Sequence, residues 1–92
     1  MDVYAKIVEK IIAQQETIIG PVALQQAKQV SGLAIDWDSH NITIEGDKPS
    51  VIDNLVKQYK ALFGQVSVEV CKDVTSELIS QLKGDQVPEL LK

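Results

Sequence analysis

The chain has 92 residues, of which 45% are apolar and 24% are charged, and this composition is typical of one small globular domain. All nine of its basic residues are lysine, and its net charge is −4. Because nucleic acids and anionic membranes are bound by basic surfaces, this balance argues against both as partners.

The start of the chain predicts a cytoplasmic protein. It has neither the basic nor the apolar region of a signal peptide, and no apolar run approaches the roughly 18 residues that span a bilayer. Cys71 is the only cysteine, so we expect no internal disulfide and no cysteine-based zinc site.

An amphipathic helix is predicted over residues 3–19, because apolar residues recur there at helical spacing with polar residues between them. Asp2 is placed to cap its first turn. Gly20 suits the end of a helix and Pro21 suits the start of the next, so the two residues form a joint. A second, short helix follows over 21–31. Its inward residues would be Val22, Ala23, Ala27 and Val30.

A β-hairpin is predicted over residues 33–45, after Gly32 ends the second helix, because the hydrophobic period changes there to two. A four-residue turn at 38–41 would place Trp37 opposite Ile42. The residues that would then share one apolar face are Ile35, Trp37, Ile42 and Ile44. Because a lone hairpin is barely stable in water, this face must pack on the helices or on a second copy, and it is a candidate interface.

Two further helices are predicted in the second half of the chain. The first covers residues 50–63, with Ser50 at its start, and the second covers 65–83, with Gly84 at its end. Residues 85–92 form a tail that either docks by its two leucines or frays.

The segment after Gly64 has two interpretations. Three valines within Val66–Val70 alternate as in a strand, whereas an apolar residue every fourth position predicts a helix. Gly64 lies 44 residues after Gly20, and the same shift aligns the apolar stripes of the two long helices, with five of 27 aligned residues identical. We interpret this as an internal repeat of a helix-Gly-helix unit, which favours the helix.

The predicted fold class is therefore α+β and mainly helical, with the two helix-Gly-helix units flanking one β-hairpin. The alternative is an αββαβα order in which Val66–Val70 form a third strand.

Few residues could carry chemistry. A Cys-His catalytic pair would have to consist of Cys71 and His40, the only residues of their types. We interpret His40 as an exposed turn residue and Cys71 as a small buried hydrophobe. The five glycines are spread singly, so no phosphate-binding loop is predicted.

Oxygen-bearing side chains surround the predicted hairpin tip: Asp36, Asp38, Asn41, Glu45 and Asp47. A calcium loop needs glycine at its sixth position, where this chain has Asn41, so a solvated hairpin face is the better interpretation. Asp36 and Asp38 belong to an exposed face without the apolar wall that an acid/base pair of carboxylates needs. We therefore predict no catalytic residue, no metal site and no cofactor.

The surplus of striped apolar residues in so short a chain favours a non-enzymatic interaction module, self-associating as a dimer or bound to a protein partner. The alternative function is a small-molecule sensor, with a pocket between the helices that the hairpin closes with Trp37.

The joint at residues 18–23, Ile-Ile-Gly-Pro-Val-Ala, resembles a helical segment of bacterial, notably cyanobacterial, signalling and motility proteins. There a leucine-x-x-isoleucine-Gly-Pro-isoleucine/valine-Ala run commonly follows kinase, cyclase or receiver modules. The similarity covers about residues 7–31 and, more loosely, 51–78, where Gln65 and Ser67 depart from the pattern. The resemblance implies a small regulatory or interaction module, and it supplies no catalytic residue.

Overall fold

Four α-helices and one two-stranded hairpin make up residues 2–92, the part of the chain that the computed structural model describes. The elements in chain order are α1 (Val3–Ile19), α2 (Val22–Ala27), β1 (Leu33–Asp36), β2 (Asn41–Ile44), α3 (Lys48–Phe63) and α4 (Gln65–Ile79). Short 3-10 turns follow at Gly84–Gln86 and Glu89–Leu91. This confirms the mainly helical α+β class. The alternative with a third strand is wrong, because Val66–Val70 lie inside α4.

The two long helices begin at aspartate caps. The Asp2 carboxylate accepts a hydrogen bond from the backbone N–H of Ala5 at 2.8 Å, as predicted. In α3 the cap is Asp47 and not Ser50, because the Asp47 carboxylate accepts from both the N–H and the hydroxyl of Ser50. Helix α3 therefore starts at Lys48, two residues before the predicted start.

Both glycine joints are corners with the same backbone conformation. Gly20 has φ 75° and ψ −154°, and Gly64 has φ 82° and ψ −171°. Each glycine N–H donates, over 2.8 Å, to the carbonyl four residues earlier, which belongs to Glu16 or Lys60. Since positive φ strains any residue with a Cβ, glycine is required for the conformation, although a Cβ would meet no atom at either position. Pro21 occupies the cap position immediately before α2.

Helices α2 and α4 end earlier than predicted. Helix α2 stops at Ala27, because the N–H groups of Gln29 and Val30 bond three residues back and tighten the chain into turns. Helix α4 stops at Ile79 for the same reason, with the Leu82 N–H bonded to the Ile79 carbonyl. Tight turns keep apolar residues near the helical spacing, so the sequence pattern runs on after the α-helix has ended.

Two glycines expected to end these helices lie in the turns that follow them. Gly32, with φ 83°, belongs to the turn that leads into β1, and Gly84 begins the first 3-10 turn. Neither residue is a helix cap.

The hairpin has the predicted apolar face but a different register. Ile35 lies opposite Ile42 and Leu33 opposite Ile44, with Trp37 displaced into the turn at 37–40. His40 closes this turn with φ 57° and an N–H bonded to the Trp37 carbonyl. Because the predicted pairing was wrong by two residues, an even number, the same side chains still face the core.

The core lies where the two helix pairs meet. Helix α1 packs on α2 and α4, α3 packs on α2 and α4, and β2 lies on α1. The fully buried apolar side chains are Ile7, Val8, Ile11, Ile12, Ala23, Ala27, Ile52, Leu55, Val56, Tyr59 and Cys71. The C-terminal tail docks on α3 and α4 with Leu91 buried. Among residues 2–92, no helix has both the length and the apolar character needed to cross a membrane.

Candidate interaction site

The two glycine joints lie at the same end of the molecule. The Gln15 side-chain amide, one turn before the end of α1, donates to the carbonyl of Ser67 in the first turn of α4, at 3.3 Å. The Tyr59 hydroxyl, one turn before the end of α3, donates to the Ala23 carbonyl in α2, at 2.6 Å. Each joint is therefore fastened to the other half of the chain by a buried hydrogen bond.

These two hydrogen bonds are reciprocal. Gln15 and Tyr59 are 44 residues apart, and so are the acceptors Ala23 and Ser67. The same spacing relates further residues that are buried in both halves: Ile7 and Val51, Val8 and Ile52, Ile11 and Leu55, Ile12 and Val56, Ala27 and Cys71. Two duplicated units would produce such correspondences, while the duplication itself stays a prediction.

Large apolar side chains are exposed at these joints. They are Ile18, Val22, Leu62, Phe63 and Val66, exposed by 56%, 39%, 51%, 38% and 67%, and we call these five residues the joint surface. Two pairs within it, Ile18 with Leu62 and Val22 with Val66, are again 44 residues apart. Together the five residues expose on the order of 400 Å², which is the size of the largest apolar patch on a typical monomer, and such patches are often functional.

The joint surface lies in two segments of the chain that lack charged residues. Residues 17–27 and 61–68 contain no Asp, Glu, Lys or His, although 24% of the whole chain is charged. Depletion of charge is typical of the core of a protein interface. Helical spacing predicted that Val22 faces inward, and this prediction is wrong. The absence of charge from the two segments is a sequence signal that could have identified the surface.

The hairpin residues predicted as an interface are partly covered. Ile35, Trp37, Ile42 and Ile44 are half-buried and pack against the core. The Trp37 ring also lies beside the His40 ring, with centroids 5.7 Å apart. The hairpin therefore offers less free apolar area than the joint surface, and its role as an interface stays a prediction.

The structure does not bring His40 and Cys71 together. His40 is exposed in the hairpin turn, where its Nδ1 lies 3.3 Å from a Glu9 carboxylate oxygen. Cys71 is fully buried in α4, and its Sγ accepts a hydrogen bond from Gln15. Burial raises the pKa of the Cys71 thiol to about 11, and the hydrogen bond from Gln15, which lowers this pKa, is the smaller effect. The reactive thiolate is therefore disfavoured at neutral pH.

The acidic residues around the hairpin do not converge on a cation site. Within residues 2–92, no three His, Cys, Asp or Glu side chains are grouped so that they could hold a metal ion. Asp47 is occupied as the cap of α3.

Three shallow clefts lie on the helical surface, with volumes between 310 and 360 Å³. One lies between the end of α2 and α3, around Val30 and Asn54, and two lie along α1 and α4, around Lys10 and Val74. Neither Trp37 nor another hairpin residue lines any of these three clefts.

No protein-family model matches the chain, and neither the curated proteins nor the solved structures compared with it give a match. The joint surface and the contacts behind it are the features from which a function can be argued.

Proposed function

We propose that this chain is a small, non-enzymatic interaction module that binds a protein partner through the joint surface. The observation that carries the proposal is the concentration of exposed large apolar side chains in two uncharged segments at one end of the molecule. Water in contact with such a patch is released when a partner covers it, which favours association. Because the Gly-Pro joint resembles a segment of bacterial signalling proteins, we propose in addition a regulatory role in such a pathway. We expect a cytoplasmic location.

The chemistry of the remaining side chains supports a binding role over catalysis. The one thiol is buried with a raised pKa, and the one imidazole sits on an exposed turn beside Glu9. The two groups have different neighbours, so neither activates the other as a nucleophile and base must.

The proposal is tested by the size of the tagged full chain in an extract of its native cells. We expect the wild-type chain to elute well above the mass of its monomer, which is 10.1 kDa plus the tag. The double variant Ile18→Glu/Leu62→Glu should elute close to that mass, because a partner would have to bury two unpaired carboxylates. Both replaced side chains are exposed, so the fold should be kept.

A matched control adds the same charge elsewhere. Ala13→Glu/Ala34→Glu changes two exposed residues, on α1 and β1, outside the joint surface. This variant should elute with the wild-type complex. Elution of the wild-type chain at its own mass, both in the extract and as purified protein at about 200 µM, would overturn the proposed function.

A further inference from the structure

We infer that the partner on the joint surface is a second copy of this chain, docked across a two-fold axis so that the joints of one copy cover the joints of the other. This inference rests on the proposed function, because it takes the joint surface as an interface and names what binds there.

The area of the joint surface fits a dimer of ordinary size. A standard interface buries about 800 Å² on each partner, of which roughly 56 to 65% is apolar. That share is about 450 to 520 Å², comparable with the roughly 400 Å² that the five joint residues expose. One contact over this end of the molecule would therefore cover all of the joint surface.

The arrangement of the joint surface fits a contact between identical surfaces. A two-fold dimer uses the same patch on both copies, so the patch must be complementary to itself. Here the patch has two like halves, since Ile18 corresponds to Leu62 and Val22 to Val66 at the spacing of 44 residues. The reciprocal bonds made by Gln15 and Tyr59 hold these halves in matching positions. Each half therefore meets similar apolar side chains whichever half of the partner it faces.

The charge distribution permits contact with a second copy. Two chains of net charge −4 repel each other, and a partner selected by charge would be basic. The contact proposed here contains no charged residue over 17–27 and 61–68, so the repelling charges stay outside it, where salt screens them. Added salt should therefore tighten this dimer, whereas it would weaken binding to a basic partner.

The mass of the purified full chain in solution tests the inference. Sedimentation equilibrium between about 5 and 200 µM should give a mass approaching twice 10.1 kDa at the upper end, within the affinity range of interfaces of this size. Ile18→Glu and Val66→Glu should each raise the dissociation constant roughly 30-fold or more, as at the centre of other interfaces. Ala13→Glu, on the same helix as Ile18 and also exposed, should leave it unchanged.

A second measurement locates the interface. In Val66→Cys, the rate of maleimide labelling should fall as the protein concentration rises, because the new thiol is covered in the dimer. The buried Cys71 stays unreactive in the folded chain and gives a low background. Thr43→Cys, on the exposed side of the hairpin, should label at the same rate at all concentrations.

The possible failures are distinguishable. A purified chain that is monomeric at 200 µM overturns the second copy as partner, and so does protection of the Thr43→Cys thiol without protection at Val66→Cys. If the complex in native extract persists and is lost in Ile18→Glu/Leu62→Glu, the proposed function stands with a different protein on the joint surface. If both the purified chain and the extract give monomer, the two proposals fail together.

Discussion

The Tyr59 hydroxyl is one of the two buried groups that fasten a joint from inside the molecule. Its ring is fully buried, and its hydroxyl donates to the Ala23 carbonyl at 2.6 Å. Tyr59→Phe should lower the free energy of unfolding by about 1 to 2 kcal/mol, because a short buried hydrogen bond is lost without replacement. Urea unfolding followed by circular dichroism measures this change.

The matched control for this substitution is Tyr4→Phe. The Tyr4 hydroxyl donates to the Gln86 carbonyl at 2.9 Å in an exposed position, where water can replace it. Its loss should cost less than about 0.5 kcal/mol. Equal losses in the two variants would contradict the assigned role of Tyr59.

Cys71 makes the stability depend on pH in the alkaline range. Burial raises the pKa of its thiol to about 11 in the folded chain, from an ordinary value of 9.0. Above pH 9 the unfolded chain therefore binds fewer protons than the folded chain, and stability falls as the pH rises towards 11. Below the unfolded pKa the contribution of the protonated thiol is fully present. Once the thiol is ionised in both states, the total loss is about 3 kcal/mol.

The comparison of wild type with Cys71→Ala isolates this effect. At pH 7 the variant should be less stable, because it leaves a small cavity. The difference between the two proteins should shrink by about 1 to 2 kcal/mol between pH 7 and 10.5, because only the wild type has the thiol. Urea unfolding at each pH measures it. A constant difference would show that the thiol does not titrate as its burial requires.

Glycine is required at position 32 both by the backbone conformation and by the lack of space for a Cβ. Gly32 has φ 83°, and a Cβ there would lie 2.7 Å from the Glu45 carbonyl oxygen. Gly46 has φ 88° with open space around it. Gly32→Ala should therefore cost more than about 2 kcal/mol and Gly46→Ala about 1 kcal/mol, which thermal and urea unfolding can compare. Similar costs would indicate that the backbone at Glu45, just after β2, moves away without penalty.

At the scale of elements, helical periodicity, aided by the 44-residue repeat for α4, was sufficient to predict the four helices but not all of their ends. The bounds of α1 were predicted without error and those of α3 within two residues, because long apolar stripes end there at strong caps. The ends of α2 and α4 were predicted four residues too late, since tight turns at Val30 and Leu82 keep apolar residues on the core side.

The hairpin shows a different limit. Alternation fixes which side chains share a face, and that part of the prediction is confirmed. It does not fix the register, which depends here on a positive φ at His40, a conformation that histidine adopts more readily than most residues.

The candidate site was predictable only in part, for a physical reason. The sequence shows that Ile18 and Leu62 continue the apolar stripes of α1 and α3, but exposure depends on what crosses the end of each helix. The chain turns away at Gly20 and again at Gly64, so the last turn of each apolar stripe is left uncovered. Tertiary contacts decide this exposure, and helical periodicity does not report them; only the absence of charge over 17–27 and 61–68 marked these helix ends.

The C-terminal tail is held by hydrogen bonds to one side chain, in addition to the burial of Pro88 and Leu91. The two carboxylate oxygens of Asp53 accept from the N–H groups of Glu89 and Leu90, at 3.0 and 2.9 Å. Asp53→Ala should cost about 1 to 2 kcal/mol and make the tail a target for limited proteolysis, because those amides lose their acceptor. Asn54→Ala, at the exposed neighbouring position, should leave cleavage unchanged. Equal resistance of both variants would mean that the buried Pro88 and Leu91 hold the tail without Asp53.

At the scale of the whole molecule, the two halves of the chain depend on each other. Helix α1 packs on α4 and α2 packs on α3, so both contacts join the half of the chain before Gly46 to the half after it. Gln15 in the first half donates a buried hydrogen bond to the second half, and Tyr59 in the second half donates one to the first. Each half alone would expose the apolar stripe that the other half covers.

This dependence predicts how fragments behave. A chain divided after Gly46 keeps the hairpin in fragment 1–46 and the Asp47 cap in fragment 47–92, so neither half loses a local contact. Each fragment alone should be largely unfolded at about 10 µM, since chains near 40 residues rarely bury enough surface to fold. An equimolar mixture should regain the helical circular dichroism of the whole chain. Tyr59→Phe in the second fragment should weaken assembly about 5- to 30-fold, which matches the loss of about 1 to 2 kcal/mol expected for the whole chain. Full helicity in either fragment alone would show instead that one helix pair folds without the other.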